Sequence, residues 1–362
     1  MKRICIATGS RAEWGLLKPL IEKLDVHFDV HILITGQHLS PEYGSTWQEV
    51  GRVAENTHKV ESLLSSDTSV GTCKSMGLGL ISYGEMLNVI RPDLLVVLGD
   101  RFEIFAVATA AHILRIPIAH IHGGEVTRGS FDNALRHGTT HFAEYHFVST
   151  NIYRTKVCRL LGINESFGGK CTDPEGVVYN VGALGLDDLP EPKEIKSDRL
   201  MLIYHPVTML DDGGWGHLLM ILECLEGYDV DIVGANSDPL GRKINAELRM
   251  WAKHADTNWS FFKNHRRDDF LRILNRSKAI IGNSSCGILE APSLRVGTIN
   301  VGPRQEGRIQ AKSVINCEDG DIRETLEVMY SEHYADLLRT VTSPYGGPGA
   351  AERITNILRE VL

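Results

Sequence analysis

The chain has 362 residues, of which 43% are hydrophobic, 23% charged and 7% aromatic. This composition excludes disordered, collagen-like and small disulfide-scaffold proteins, and the length suits two domains of roughly 150–200 residues each. The formal net charge of −8 does not favour nucleic acid as a partner.

Short apolar runs alternate with helical stretches through the first half of the chain. Apolar runs that end in a small-residue turn are typical of buried parallel strands, and they predict strands at residues 3–8, 28–35, 94–98, 118–121 and 145–149. Apolar stripes at helical spacing predict helices at about residues 14–24, 103–114 and 131–143. The repeated order of strand, turn and helix predicts a doubly wound parallel sheet.

A polar segment with two prolines at residues 186–199 predicts a linker. A second α/β run follows, with strands predicted at residues 200–204, 228–233, 279–282 and 297–301. The predicted fold class is therefore α/β, with two Rossmann-like domains in tandem. Residues 350–362 carry an apolar stripe at helical spacing, so a C-terminal helix is predicted.

Ligands bind at the carboxyl ends of the strands in open parallel sheets, so the loops after these strands form the candidate site. The loop GNSSCG (282–287) places Ser284 and Ser285 before a helix, where free backbone N–H groups bind phosphate. Glycine turns with serine caps have the same pattern, which leaves that alternative open. Glu290 lies about one turn further on and is a candidate for a ribose diol.

Two further side chains follow predicted strands and are candidates for a diphosphate. Arg11 comes after the first strand, where a guanidinium can bind a diphosphate with two hydrogen bonds; the alternative is a surface arginine. His205 follows the strand at 200–204 and either binds a phosphate or caps the turn before Pro206.

Three carboxylates in these loops are candidates for proton transfer. Asp100 directly follows an apolar strand, Glu125 follows two glycines, and Asp132 stands where a helix is predicted to begin. Carboxylates that converge on one site can divide acid and base work. The structural alternatives are an ion pair of Asp100 with Arg101 and a helix cap at Asp132; Glu125 has no evident structural role.

Several other chemistries lack their sequence patterns. His137 and His141 have the spacing of a zinc-binding helix, but the Glu of HExxH is missing, so no metal is predicted. GxSxG, the Walker A motif and GxGxxG at a first strand are also absent. The seven cysteines are scattered without a CxxC pair, which is typical of reduced thiols. With no apolar stretch of ~18 residues and no signal peptide, a cytoplasmic protein is predicted.

The loops taken together resemble the hydrolysing UDP-N-acetylglucosamine 2-epimerases of sialic-acid biosynthesis. The motifs that carry the resemblance span nearly the whole chain in the family's order, and they are GSRAEWGLL (9–17), TGQHLSPEYG (35–44), RPDLLVVLGDRFE (91–103), IPIAHIHGGE (116–125), RHGTTHF (136–142), NVGALG (180–185), YHPVT (204–208), GNSSCGILEAPS (282–293) and GPRQEGRIQAKSVIN (302–316). A segment at residues 166–178 is longer than the family pattern and has no assigned role.

The resemblance implies the GT-B fold, with two Rossmann-like domains that face a central cleft. Residues 1–186 would form the sugar-side domain and residues 187–345 the nucleotide-binding domain, with residues 346–362 packed back on the first. The implied partners are a UDP-linked sugar and the product UDP, with no cofactor, nucleic acid or membrane, in a homodimer or homotetramer.

The resemblance also implies a reaction: UDP is eliminated to give a 2-acetamidoglucal, which is hydrated to N-acetylmannosamine. By position, the family's catalytic acids match Asp100, Glu125 and Asp132. Its nucleotide and diphosphate ligands match Arg11, His205, Ser284, Ser285, Glu290 and Arg308.

Five alternatives remain open at the level of sequence. The same reaction can act on UDP-2,4-diacetamido-2,4,6-trideoxyglucose of the legionaminic-acid pathway, and a GDP-linked form also exists. A non-hydrolysing epimerase would keep UDP on the sugar. A GT-B glycosyltransferase would need an acceptor, and a regulatory nucleotide-binding module would leave the donor unchanged.

Overall fold

Two fully parallel sheets, of seven and six strands, organise two units of the chain. The computed structural model describes residues 1–163, 165–166, 170–171, 176–317 and 321–362. The first unit comprises Met1–Glu125, Asp132–Asp187 and Tyr345–Leu362; the second comprises Val126–Phe131 and Asp188–Pro344. The longer segment noted at 166–178 includes residues 167–169 and 172–175, which lie outside the described residues.

The first unit contains a sheet with the strand order β3-β2-β1-β4-β5-β6-β9. Its strands are β1 (Arg3–Thr8), β2 (Asp29–Ile34), β3 (Asn56–Lys59), β4 (Leu94–Leu98), β5 (Ile118–Ile121), β6 (Tyr145–Val148) and β9 (Val178–Asn180), and a separate antiparallel pair is β7 (Glu165–Ser166) and β8 (Lys170–Cys171). Its helices before residue 187 are α1 (Arg11–Leu24), α2 (Trp47–Val50), α3 (Ser69–Ile90), α4 (Phe102–Ile113), α5 (Asp132–Phe142) and α6 (Asn151–Leu160).

The second unit repeats this plan with the strand order β12-β11-β10-β13-β14-β15. Its strands are β10 (Leu200–Ile203), β11 (Val230–Val233), β12 (Trp259–Phe262), β13 (Ala279–Gly282), β14 (Gly297–Val301) and β15 (Val314–Cys317). Its helices are α7 (Trp215–Cys224), α8 (Gly241–His254), α9 (Arg267–Arg276), α10 (Cys286–Leu289), α11 (Ile322–Tyr330) and α12 (Glu332–Thr340). The prediction of an α/β protein with two Rossmann-like units is confirmed.

Both faces of the first sheet are buried, as its apolar strands predict. Successive side chains of a strand point to opposite faces. In β1, Ile4 and Ile6 belong to one apolar core, whereas Cys5 and Ala7 belong to the other. Strands that are buried on both faces read as continuous apolar runs, which explains why β1 and β4 were visible in the sequence.

The C-terminal helix α13 (Ala350–Val361) belongs to the first unit, where it packs against α1. Ile354 and Leu358 are fully buried in the same core as β1. The carboxylate of Asp187 accepts hydrogen bonds from the backbone N–H groups of Gly349, Ala350 and Ala351 at 2.6–2.8 Å. Asp187 therefore caps a helix that begins more than 160 residues further along the chain.

The cysteines differ in one respect from the prediction of reduced thiols. Cys158 is disulfide-bonded, so the prediction is wrong for this residue. The free thiols are those of Cys5, Cys73, Cys224, Cys286 and Cys317. No helix in the described part of the chain combines the length and the apolar character needed to cross a membrane.

Candidate active site

The loops after β1 and β2 are shaped by a buried carboxylate, that of Glu103 at the start of α4. A Cβ atom on Gly9 would lie 2.5 Å from Glu103 Cγ, and one on Gly36 would lie 2.9 Å from Glu103 Oε1. Both loops therefore need glycine where the Glu103 side chain passes. Arg101 Nε donates a hydrogen bond of 2.8 Å to Glu103 Oε1, which pairs this buried charge.

Helix α1 begins with a capping box that holds the turn after β1. The side-chain oxygen of Ser10 accepts from the Glu13 N–H, and Glu13 Oε2 accepts from the N–H groups of Gly9 and Ser10. Arg11, the predicted diphosphate ligand, lies in this first turn. Its Nη2 atom is 2.5 Å from Glu49 Oε1, so Arg11 forms an ion pair within its own unit.

Asp100 lies in the loop after β4 and is paired with Arg136 of α5. Arg136 Nη2 donates to Asp100 Oδ2. The Arg136 side chain is 2% exposed and that of Asp100 is 19% exposed, so solvent reaches the carboxylate rather than the guanidinium. Arg101, the alternative partner of Asp100, forms an ion pair of 2.8 Å with Glu103.

The turn before Asp100 is fixed by His120 of β5. Gly99 has a φ of 78°, in the left-handed region that glycine adopts without strain. Burial lowers the pKa of His120 to about 3, so its ring is neutral. His120 Nε2 donates to the Gly99 carbonyl oxygen at 2.8 Å, and Nδ1 lies 3.2 Å from Thr140 Oγ1 of α5. His120 thus joins the Asp100 loop to the helix that carries Arg136.

Glu125 belongs to a second, fully buried cluster. Its Oε1 atom accepts a hydrogen bond of 2.9 Å from Ser149 Oγ and lies 3.5 Å from His122 Nδ1. His122 Nε2 accepts from the Leu184 N–H at 3.3 Å, which places the proton of a neutral ring on Nδ1, facing Glu125. His122 has a φ of 65°, a backbone conformation that residues other than glycine rarely adopt. The structure therefore supplies a structural role for Glu125.

Asp132 is the first residue of α5 and is 5% exposed. Arg136 follows it by four residues, which puts both side chains on one face of the helix. A carboxylate in the first helical turn also interacts favourably with the helix dipole. This position fits both predicted roles of Asp132, as a residue that stabilises the start of the helix and as a carboxylate that transfers protons.

Helix α5 carries two histidines at i,i+4 spacing, His137 and His141. Burial lowers the pKa of His137 to about 4. Within the part of the chain that the structure describes, no three His, Cys, Asp or Glu side chains are grouped as metal ligands would be.

In the second unit, Asn283 joins the loops after β10 and β13. Its Oδ1 atom accepts from the His205 N–H at 2.7 Å, and its Nδ2 donates to the His205 carbonyl oxygen at 2.8 Å. A Cβ on Gly282 would lie 2.0 Å from the Ile203 carbonyl oxygen, so this close approach requires glycine. His205 Nδ1 accepts from the Asn236 N–H, which orients the ring.

Ser284 and Ser285 precede α10, a helix of four residues. Ser285 occupies the N-cap position, and its side chain makes no capping hydrogen bond, so the serine-cap alternative is not observed there. Cys286 Sγ donates to Ser284 Oγ at 3.1 Å. Burial raises the pKa of the Cys286 thiol to about 12, so this thiol is not a nucleophile at neutral pH.

Glu290 is held by Arg267 of α9. Arg267 Nη1 donates to Glu290 Oε1 at 2.9 Å, and the same guanidinium binds both carboxylate oxygens of Asp188 at 3.0 and 3.1 Å. The Glu290 side chain is only 6% exposed. A buried carboxylate needs such a partner, because an isolated charge in the protein interior is strongly destabilising.

The segment after β14 packs on Asn283. Gln305 Nε2 donates to the Asn283 carbonyl oxygen at 2.8 Å, and Arg304 Nη1 lies 3.4 Å from the same oxygen. Arg304 Nη2 is also 3.9 Å from Oδ2 of the buried Asp238. The backbone N–H of Arg308, the further predicted nucleotide ligand, donates to the Gln305 carbonyl oxygen. The predicted nucleotide ligands His205, Ser284 and Arg308 therefore lie on segments that Asn283 and Gln305 connect.

Three side chains that organise these loops had no role in the sequence interpretation: Arg136, Asn283 and Arg267. Arg136 follows Asp132 at helical spacing, and Asn283 lies within the GNSSCG loop, so both carried a local signal. Arg267 carried none, because its partners Asp188 and Glu290 are 79 and 23 residues away in sequence.

Comparison with known proteins identifies the family. A family model described as UDP-N-acetylglucosamine 2-epimerase matches residues 22–359. A GDP/UDP-N,N'-diacetylbacillosamine 2-epimerase (hydrolyzing) of Campylobacter jejuni is 32% identical over 340 residues, covering 92% of this chain and 88% of that protein. A UDP-N-acetylglucosamine 2-epimerase of Neisseria meningitidis is 30% identical over 336 residues, covering 88% and 84%.

The chain belongs to the UDP-N-acetylglucosamine 2-epimerase family, as the motifs indicated, and is a UDP-sugar 2-epimerase. The solved structure of the UDP-GlcNAc 2-epimerase of Methanocaldococcus jannaschii matches it with a TM-score of 0.78 at 22% identity, over 99% of this chain and 100% of that one. This likeness supports the fold: the sheets of both units are those of a GT-B protein.

The buried carboxyl group of Glu13 predicts that the free energy of unfolding depends on pH. Burial, and then the charge of Glu103, raises the pKa of Glu13 from its ordinary 4.5 to about 8. Between these values the folded chain holds a proton that the unfolded chain releases, so stability falls as the pH rises, by at most about 1.4 kcal/mol per pH unit. We expect Glu13→Gln to flatten the slope of the unfolding free energy between pH 5 and 8.

Urea unfolding at several pH values measures this slope. The exposed Glu22 of α1 provides the matched control, since Glu22→Gln should leave the slope unchanged. Equal slopes for Glu13→Gln and the wild type would show that Glu13 does not hold this proton.

Proposed function

We propose that the protein is a hydrolysing 2-epimerase of a UDP-linked 2-acetamido sugar. The observation that carries the proposal is the pairing of Asp100 with the buried Arg136, on the helix that begins at Asp132. This ion pair joins the loop that carries Asp100 to helix α5, which begins at Asp132. Both predicted catalytic carboxylates therefore lie on connected segments at the carboxyl edge of one sheet. The C. jejuni relative supports UDP-N,N'-diacetylbacillosamine as the first substrate to test, and the N. meningitidis relative supports UDP-N-acetylglucosamine as the second.

The proposed reaction has two steps. A base removes the C2 proton, the C2–H electron pair forms the C1–C2 double bond, and the C1–O bond breaks so that its electron pair leaves with UDP. Water then adds its hydroxyl to C1 while a proton is delivered to C2 on the opposite face, which gives the free 2-epimer. A positioned acid or base typically contributes ~100- to 10,000-fold to each such proton transfer.

We assign these proton transfers to Asp100 and Asp132. Arg136 fixes the Asp100 carboxylate and balances its charge, while solvent still reaches Asp100. Glu125 is fully buried, so we assign it to the reaction as a positioning residue that acts through His122. The His122 contact with the Leu184 N–H supports a role in holding the NVGALG segment in place.

We assign nucleotide binding to the second unit. The backbone N–H groups around Ser284 and Ser285, the His205 ring and Arg308 would bind the diphosphate. Glu290, oriented by Arg267, would accept the ribose hydroxyls. Arg11 belongs to the first unit, and we keep it as a candidate phosphate ligand of that unit, which would exchange its partner Glu49 for the phosphate.

The first prediction concerns the products. In D2O, each substrate should give the free C2 epimer and free UDP in equal amounts, with deuterium at C2 of the sugar. Elimination requires this exchange, because the C2 proton is lost to solvent before a solvent proton returns. Proton NMR of the mixture measures both products; an epimer still linked to UDP, or an epimer without deuterium, would contradict the proposed hydrolysis.

The second prediction separates the carboxylates. Asp132→Asn should lower turnover at least ~100-fold, the scale of a lost acid or base, while the UDP affinity measured by calorimetry stays unchanged. Ser285→Ala should instead weaken UDP binding and leave turnover at saturating substrate less affected.

Glu125→Gln should lower both turnover and melting temperature. Adding His122→Gln to the Glu125→Gln variant should cause little further loss of either.

The exposed Asp25 at the end of α1 provides a control, since Asp25→Asn should retain wild-type turnover. If Asp132→Asn melts early but turns over at near wild-type rate, Asp132 is a helix-start residue and has no catalytic role.

A further inference from the structure

A short segment of the second unit lies in the sequence between two of the candidate carboxylates. Glu125 and Asp132 both belong to the first unit, whereas the residues between them, Val126–Phe131, belong to the second. We call Val126–Phe131 the strap. The chain therefore leaves the first unit directly after Glu125 and returns to it at Asp132, the first residue of α5.

The loop after β10 holds the end of the strap that leads into α5. Thr208 Oγ1 accepts a hydrogen bond of 3.0 Å from the Phe131 N–H, and the Thr208 hydroxyl donates to Ser130 Oγ at 3.4 Å. The Met209 N–H donates to the Gly129 carbonyl oxygen at 3.3 Å. Phe131 immediately precedes the first residue of α5, so Thr208 holds the backbone at the start of the helix.

The segment after β14 holds the middle of the strap. The Arg128 N–H donates to the Glu306 carbonyl oxygen at 3.0 Å, and the Arg128 guanidinium donates to Glu306 Oε1 at 2.8 Å. A Cβ atom on Gly129 would lie 2.6 Å from the Pro303 carbonyl oxygen, so the backbone approach at this position requires glycine. The strap is therefore fixed to the second unit at two places.

Both of these places adjoin residues to which we assign the diphosphate. Thr208 follows His205 by three residues, and Glu306 precedes Arg308 by two. Ligands that order the loops they contact also order what those loops hold. A nucleotide bound by His205 and Arg308 would therefore steady the strap and, through it, the start of α5.

We propose that Thr208 is a positioning residue for Asp132: through the Phe131 N–H, it places the carboxylate when a nucleoside diphosphate group occupies the second unit. The proposal rests on the proposed function, because it needs Asp132 to transfer a proton. Alignment of the carboxylate then requires the leaving group to be seated, so removal of the C2 proton and departure of UDP take place on the same bound molecule.

The nucleotide loop itself does not depend on the Thr208 hydroxyl. The Val207 N–H donates to the Gly213 carbonyl oxygen at 2.9 Å, which closes the loop after β10. The backbone of His205 is held on both sides by the Asn283 side chain. Both printed hydrogen bonds of the Thr208 hydroxyl go to the strap, so its removal loosens the strap and leaves the nucleotide ligands in place.

The first test removes this hydroxyl and keeps the side-chain volume. Thr208→Val should lower turnover at saturating substrate at least ~10-fold, because small displacements of a reacting group are costly. The UDP affinity measured by calorimetry should stay unchanged, and Thr208→Ser, which keeps the hydroxyl, should recover most of the turnover. Thr257 is the matched control: it is also half-buried in the second unit, and its hydroxyl donates to the Tyr228 carbonyl oxygen. Thr257→Val should retain wild-type turnover.

A double-mutant cycle shows whether Thr208 acts through Asp132. In the Asp132→Asn background, Thr208→Val should cost less than about threefold, since residues that act as a unit are not additive. Additive losses, or a UDP affinity that falls as far as turnover, would overturn the positioning role. Wild-type turnover in Thr208→Val beside a large loss in Asp132→Asn would also overturn it but leave the proposed function intact. Wild-type turnover in Asp132→Asn would contradict the proposed role of Asp132 and this proposal with it.

Hydrogen exchange tests the coupling to the nucleotide without any turnover. Saturating UDP should slow amide exchange in peptides that cover residues 126–132 of the wild type and of Thr257→Val, because the strap opens less often. In Thr208→Val the same peptides should be slowed little, since the Phe131 N–H has lost its acceptor. If UDP binds by calorimetry but leaves exchange in the wild-type strap unchanged, the strap does not respond to the nucleotide and the proposal is wrong.

Discussion

The ion pair between Arg136 and Asp100 is the constraint on which the candidate site of the first unit depends. Arg136 is almost completely buried, and its Nε and Nη1 atoms have no hydrogen-bond partner among the described residues, so Asp100 is its main electrostatic compensation. Removing one partner of a buried pair typically costs about 3–5 kcal/mol, because the other charge is left without compensation. The pair therefore fixes the loop after β4 to α5, and His120 reinforces the same connection.

The second unit uses the same principle with different residues. Arg267 is held between Glu290 and Asp188, and Asn283 joins the His205 loop to the loop after β13. In both units, polar side chains at the strand ends are fixed by buried partners before any ligand binds. Such prior fixation lowers the ordering cost of binding and of reaction.

The sequence predicted most of the strand ends, because apolar runs that stop at glycine are a local signal. Strands β3, β9, β12 and β15 were missed. Helix α3 was also missed, because it is apolar on both faces and lacks the single stripe that identifies a helix. The partners of the site residues were not predictable, since Arg136 and Asp100 are 36 residues apart and meet only through the fold. Glu125 was interpreted as an acid without a structural role, because its hydrogen bond with Ser149 joins residues 24 apart in sequence, although His122 is a neighbour at i,i+3.

The most direct test of this account is a double-mutant cycle on turnover of the UDP-linked sugar, with Arg136→Met and Asp100→Asn alone and together. Arg136→Met should lower turnover at least ~100-fold in the wild type, because the carboxylate that transfers the proton is no longer held. In the Asp100→Asn background the same change should cost less than about threefold, since residues that act as a unit are not additive. Additive losses, or wild-type turnover in Arg136→Met, would contradict the central role of this pair.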